Sequence, residues 1–89
     1  MPEPPRRAAA LRYGGEGAPE IVAAGAGHVA DGILARARDA GVPVREDPAL
    51  AETLASLAVG EQVPEELWMA VARVLVWAYT LEDRITPNG

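Results

Sequence analysis

Gly25-Ala26-Gly27-His28-Val29-Ala30 is the segment of this chain whose residue types and spacing most suggest chemistry, a G-x-G-x-x-A run of the kind that cradles a pyrophosphate. In such sites the glycines let backbone N–H groups approach the phosphates, and an acidic residue about 20 positions on holds the ribose. Glu46 and Asp47 stand at that distance. A minimal dinucleotide-binding protein using Gly25 to Ala30 is therefore one expectation. Against it, the chain has room for a single βαβ unit, and no substrate domain or catalytic group accompanies the motif. Small residues there also have a packing use, because they let a helix lie close on a strand.

Other chemistry finds little to work with. His28 is the sole histidine, Ser56 the sole serine, and cysteine is absent, so neither a Ser-His pair with redundancy nor a His/Cys metal cluster can be assembled. His28 at a helix start reads as a capping or surface residue. The acidic pairs Glu46-Asp47 and Glu65-Glu66 also sit at expected helix starts, where capping and the helix dipole explain them without acid–base catalysis. The expectation is a protein that is not an enzyme and uses no cofactor or metal.

The elements that position these residues follow from turn residues and periodicity. Arg7 to Tyr13 reads as a strand closed by Gly-Gly-Glu-Gly, and Glu20 to Ala24 as a second strand carrying Ile21 and Val22. A helix is predicted from about Gly27 to Ala40, with Val29, Ile33, Leu34 and Ala37 on its inner face and Gly41 as its C′ residue. Val42-Pro43-Val44 reads as a third strand, which completes a βαβ unit and a parallel pairing. Asp47 caps a short helix with Pro48 at N1 and Leu50, Leu54 and Leu57 facing inward; Val59 to Val63 is a loop; Pro64 starts a last helix reaching about Leu81. The predicted fold class is α/β, a small central sheet of three or more strands with one βαβ unit, flanked by three helices. Residues 1–6 form a disordered lead-in, 7–82 the domain and 83–89 a frayed tail.

The last helix is too apolar for one core. Leu67, Val71, Val74, Ala78 and Leu81 form one stripe, and about 100° away lies a second, Trp68, Ala72, Leu75 and Tyr79. Met69 and Val76 add to the excess. Either the second stripe packs under a neighbouring helix, or it stays open as a partner site, with small Ala72 as a dent between Trp68 and Leu75.

With 89 residues the chain forms one domain, of a size that buries about 60% of its unfolded surface. Its net charge of −5 opposes nucleic-acid binding, which draws on clustered basic residues. No apolar run approaches the roughly 20 residues a membrane span needs, and Met-Pro-Glu-Pro-Pro-Arg-Arg resembles no signal peptide. A cytoplasmic protein, monomeric and without a membrane segment of its own, is expected.

Several short motifs occur in a specific order: Leu11-Arg12-Tyr13, Ala18-Pro19, Gly25-Ala26, Val42-Pro43, Pro48-Ala49-Leu50-Ala51, Gly60-Glu61-Gln62-Val63-Pro64 and Ala70-Val71-Ala72-Arg73-Val74-Leu75. In that order, over roughly Ala8 to Glu82, the chain resembles the cytoplasmic C-terminal domain of the FlhB/YscU/HrcU/EscU family, the membrane-anchored export gate of flagellar and injectisome type III secretion. The resemblance implies a non-enzymatic accessory of protein export. Its partners would be export substrates, the length-control ruler or another export-apparatus protein, held by a small hydrophobic patch. Residue by residue that patch falls on Ala18, Pro19, Ala72 and Leu75, beside Trp68. A purely structural role, docking on the export gate in place of a cleaved fragment, is a further expectation.

The family's self-cleaving Asn-Pro-Thr-His motif aligns with Glu3, Pro4, Pro5 and Arg6, and the proline alone survives. Cleavage resembles Asn cyclisation, in which an amide nitrogen attacks its own carbonyl carbon. The Glu3 carboxylate is a poor nucleophile there and Arg6 cannot replace the histidine. The resemblance thus implies a stand-alone, uncleavable paralogue without the transmembrane part. Intact-mass measurement after days at neutral pH is expected to give one species, apart from loss of Met1; a break between Glu3 and Pro4 would overturn this reading.

Overall fold

The computed structural model of the chain describes residues 5–85, with side-chain surroundings through Leu81. Strands β1 (Arg7–Arg12) and β2 (Glu20–Ala26) are followed by helix α1 (His28–Asp39), helix α2 (Pro48–Ala55), a 3₁₀ turn (Glu65–Leu67) and helix α3 (Trp68–Ile85). Local chemistry sets most of the boundaries. Gly41, at φ 73°, ends α1: its N–H donates to Arg38 O at 3.2 Å and that of Val42 to Ala37 O at 2.8 Å, the paired bonds of a Schellman closure. Asp47 Oδ1 accepts from Leu50 N–H at 3.2 Å and Pro48 occupies the first turn, so α2 starts where its cap dictates. Pro64 stands one step before the 3₁₀ turn rather than at N1 of the last helix, and its carbonyl accepts from Leu67 N–H at 3.0 Å to close the turn that leads into α3.

β1 and β2 are antiparallel, pairing Arg7 with Ala26 through Ala10 with Ala23, then Leu11 with Ile21 and Arg12 with Glu20. The jump between Ala10 and Leu11 leaves Val22 as the extra residue of a bulge. Its effect is large. Strict alternation would turn Val22 to the same face as Ala24; the bulge turns Ile21 there instead, fully buried, and leaves Val22 38% exposed. Ile21 then joins Leu54, Val63 and Val71 in the core, with Ala9, Leu11, Ala24, Leu50, Leu57, Leu67 and Leu75 around it. The opposite face of the sheet carries Ala8, Ala10, Ala23 and Gly25, all small, and α1 packs against it. The domain is thus three layers: α1, the sheet, and α2 with α3.

The loop at 59–63 does part of a strand's work. Ile21 N–H donates to Glu61 O at 2.9 Å, Gly60 N–H to Ile21 O at 2.7 Å and Val63 N–H to Pro19 O at 2.8 Å, with a bridge between Glu20 and Gln62. These bonds close the outer edge of β2 at its start, from Pro19 to Ile21.

Two expectations are corrected. Val42-Pro43-Val44 is not a third strand: residues 42–47 carry no ladder, Val42 and Val44 are exposed, and the described residues hold a two-stranded antiparallel sheet with no βαβ unit. Pro43 has no N–H to give a ladder, and the Schellman closure commits the N–H of Val42 to the helix behind it. Second, Val29 lies at the margin of the inner face of α1, over Gly25 but 57% exposed, while Ala30 is fully buried. The helix lies so close to the sheet that its innermost position admits a methyl group and no more. Residues 1–4 of the expected lead-in and 86–89 of the expected tail lie outside the described residues.

Gly25 sets that closeness. A Cβ added there would sit 2.7 Å from Val29 Cβ and nearer still to Val29 Cγ1. Gly25→Ala is therefore expected to push α1 off the sheet and cost about 1–3 kcal/mol. Val29→Ala in the same chain should recover only part of the loss, because it removes Cγ1 but leaves the Cβ at 2.7 Å. Urea or thermal unfolding of the single and double variants checks this; a Gly25→Ala protein as stable as the parent would show that the contact is not tight.

Candidate functional site: an apolar groove on the last helix

The second stripe of α3 is open. Val71 of the first stripe is fully buried and Leu67, Val74, Ala78 and Leu81 are half-buried, whereas Trp68 is 42% exposed, Tyr79 49% exposed and Ala72 exposed between them. Leu75 is the stripe's link to the core, against which it packs. Together with the β1–β2 loop the stripe encloses a groove of about 260 Å³, lined by Tyr13, Gly17, Pro19, Trp68, Ala72, Leu75, Val76 and Tyr79. Ala72 supplies the small floor, since any larger side chain would fill the space between the rings.

Two backbone-directed hydrogen bonds hold the walls. Pro19, buried at one side, accepts from Val63 N–H at 2.8 Å, and Val63 O accepts from Trp68 Nε1 at 2.8 Å. Val63 itself is in the core, so the loop and the indole are tied to one fixed residue. Exposed tryptophans usually sample several rotamers; this one is held by its ring nitrogen, and its apolar face is left toward the groove. None of the lining residues is charged. The phenol groups of Tyr13 and Tyr79 are the polar handles that remain, so the arrangement can receive apolar side chains of another chain.

Of the five residues expected to form a partner patch, Pro19, Trp68, Ala72 and Leu75 line one groove. Ala18 is half-buried beside Pro19 and does not line it. Tyr13, Gly17, Val76 and Tyr79 were not in the expected patch. Tyr79 and Val76 were legible as part of the apolar excess of the last helix. Tyr13 and Gly17 arrive through the hairpin loop, whose path over α3 leaves no mark in a periodicity.

The G-x-G-x-x-A segment has a different use. Gly25 lies in β2, where it admits Val29, and Gly27 adopts φ 61° and ψ −127°, a backbone that side chains oppose, to turn the strand into α1. The N–H of Gly27 donates to Arg6 O at 2.8 Å. Asp47 is spent on capping α2, and the strand that should follow α1 in a dinucleotide fold is the unladdered stretch 42–47. His28 is exposed at the first position of α1. Among the described residues no helix is long and apolar enough to cross a membrane. Of the cleavage-motif positions, Glu3 and Pro4 lie outside the described residues.

Comparison with known proteins agrees with the motif order. Residues 2–78 match the model of the FlhB HrpN YscU SpaS family. The uncharacterized protein YlqH of Bacillus subtilis is 42% identical over 84 residues, which cover 92% of this chain and 90% of that protein. The flagellar biosynthetic protein FlhB of Escherichia coli is 44% identical over 66 residues, 73% of this chain but 17% of FlhB. The hypersensitivity response secretion protein HrcU of Ralstonia nicotianae is 35% identical over 88 residues, 97% of this chain and 25% of HrcU. The chain thus spans nearly all of one relative and a quarter or less of the other two. Every core residue of the fold, from Ala8 to Val71, falls inside the matched stretch, and the chain therefore belongs to the FlhB HrpN YscU SpaS family of the flagellar and type III export apparatus.

Proposed function

We propose that this domain acts without catalysis in flagellar or type III protein export, as a cytoplasmic docking module for an apolar segment of an export substrate, the length-control ruler or an export-gate component. The observation that carries the reading is the groove itself. Pro19, Trp68, Ala72 and Leu75 line one open apolar space whose walls are fastened to a core residue. A preformed site of this kind loses little ordering entropy on binding, and a few apolar anchors seated beside an aromatic wall suffice for specific recognition. Family membership supplies the setting, because FlhB and HrcU are by name flagellar and secretion proteins.

Ala72→Glu tests the proposal directly. Because Ala72 is exposed, the new carboxylate stays hydrated in the free protein, and the melting temperature should change little. When an apolar ligand closes over it that carboxylate is desolvated without a counter-charge, so capture of purified export substrates or ruler should weaken at least about tenfold. An unchanged melt with unchanged binding to each of these partners would sink the groove as their site.

Trp68→Phe separates the wall from its fastening. The ring remains, but Val63 O loses its indole donor, with an expected loss of about 0.5–1.5 kcal/mol. Partner affinity should fall several-fold as the wall loosens. If denaturation and binding are both those of the parent chain, the hydrogen bond does not hold the groove.

A further inference from the structure

The edge of the sheet along β2 is closed at Pro19 and Ile21, and the edge along β1 is open over its whole length. On β2, Ile21 directs both of its backbone groups outward to Gly60 and Glu61. On β1 the ladder's phase is fixed by the bond from Gly27 N–H to Arg6 O: Arg6–Gly27, Ala8–Gly25 and Ala10–Ala23 are the hydrogen-bonded pairs, so the N–H and C=O of Arg7 and Ala9 point away from β2. Beyond the bulge, the partner of Ile21 is Leu11, and since Ile21 turns its groups to the loop, those of Leu11 point away as well. Three N–H and three C=O groups in a row, roughly 6.8 Å apart, thus face outward from β1. Among the described residues none of the six has a hydrogen-bond partner.

We infer that this edge of β1, at Arg7, Ala9 and Leu11, is a strand-addition site for an extended segment of a partner protein, apolar or β-branched at its centre and acidic at its ends. It shares no residue with the groove and does not depend on it. Edge strands are normally blunted by Lys, Pro, a bulge or a covering element. The centre of β1, Ala8 to Leu11, has neither Lys nor Pro, and the extra residue of the bulge lies on β2. Its alanines leave room for side chains of an added strand on both faces.

Charge selects the occupant. Three of the chain's eight basic residues, Arg6, Arg7 and Arg12, bracket this edge although the net charge is −5. Their acidic partners, Asp31 at 4.0 Å, Glu52 at 3.5 Å and Glu20 at 3.3 Å, are held in solvent-exposed pairs, which exchange readily. A second copy added antiparallel about Ala9 would set Arg6 of one chain against Arg12 of the other, a like-charge pairing that opposes self-association. A segment with acidic ends meets the same arginines favourably.

The test uses the full chain and a synthetic, end-capped peptide, Glu-Val-Thr-Val-Thr-Glu, with amide hydrogen exchange followed residue by residue. At saturating peptide, exchange at Arg7, Ala9 and Leu11 should slow by roughly tenfold or more, while Ala8 and Ala10, already paired, change little. The same peptide N-methylated at alternate residues should have no effect, because it cannot complete the ladder, and a peptide ending in Lys should bind at least several-fold more weakly. Ala9→Pro, which removes one outward N–H at an edge position where proline is tolerated, should lose the response; the N-methylated peptide asks the same question without altering the fold. The inference is overturned if the three amides show no added protection, if protection appears at Trp68 and Ala72 instead, or if Lys-ended and Glu-ended peptides bind alike. It is also overturned if the free chain sediments as a dimer with these amides already protected, which would give the edge to a second copy.

Discussion

Val63 is the residue on which the arrangement hangs. Its side chain is in the core beside Ile21, Leu54 and Val71, its N–H donates to Pro19 O, and its carbonyl accepts from the indole of Trp68. Through those contacts one residue fastens the β1–β2 loop to the start of α3. Buried backbone groups need partners, and here each partner belongs to a groove wall. Stability and site are therefore the same construction: what satisfies Val63 also fixes the opening between Pro19 and Trp68.

The sheet face under α1 is built from small side chains. A two-stranded hairpin is marginal by itself, and this one is stabilised by helices on both faces. On the α1 face, Ala8, Ala10, Ala23 and Gly25 allow the helix to come close enough that Ala30 is fully buried. On the other face the bulge exchanges Val22 for Ile21 and so places the larger branched side chain in the centre. The same chain economy leaves α3 with more apolar surface than its neighbours can cover. A domain that buries little surface for its length cannot enclose two stripes of an 18-residue helix, and the stripe left outside is the groove.

Relatives of very different length contain this unit. It accounts for nearly all of YlqH and for less than a fifth of E. coli FlhB. Among the described residues, the interactions that define the fold run from Arg6, whose carbonyl accepts from Gly27 N–H, to Leu81, the last half-buried residue of α3.

Local rules were legible along the sequence. Asp47 and Pro48 announce α2, Gly41 announces the end of α1, and the 3.6-residue spacing of Leu67, Val71 and Val74 gives the inward face of α3, because caps and periodicity are properties of a few neighbouring residues. The surplus stripe was equally legible, including Trp68, Ala72 and Leu75. Whether the stripe is covered was left to the tertiary structure, since a helix pattern counts apolar faces and does not say which neighbours reach them. The misread third strand at Val42 to Val44 has the same origin: β-branched residues favour extended backbone, but a strand exists only where another strand offers its hydrogen bonds, and here the outer edge of β2 was taken by a loop instead. The G-x-G-x-x-A run likewise matched a phosphate site residue for residue, and only the packed fold assigned Gly25 to a helix contact and Gly27 to a turn, because one backbone freedom serves both ends.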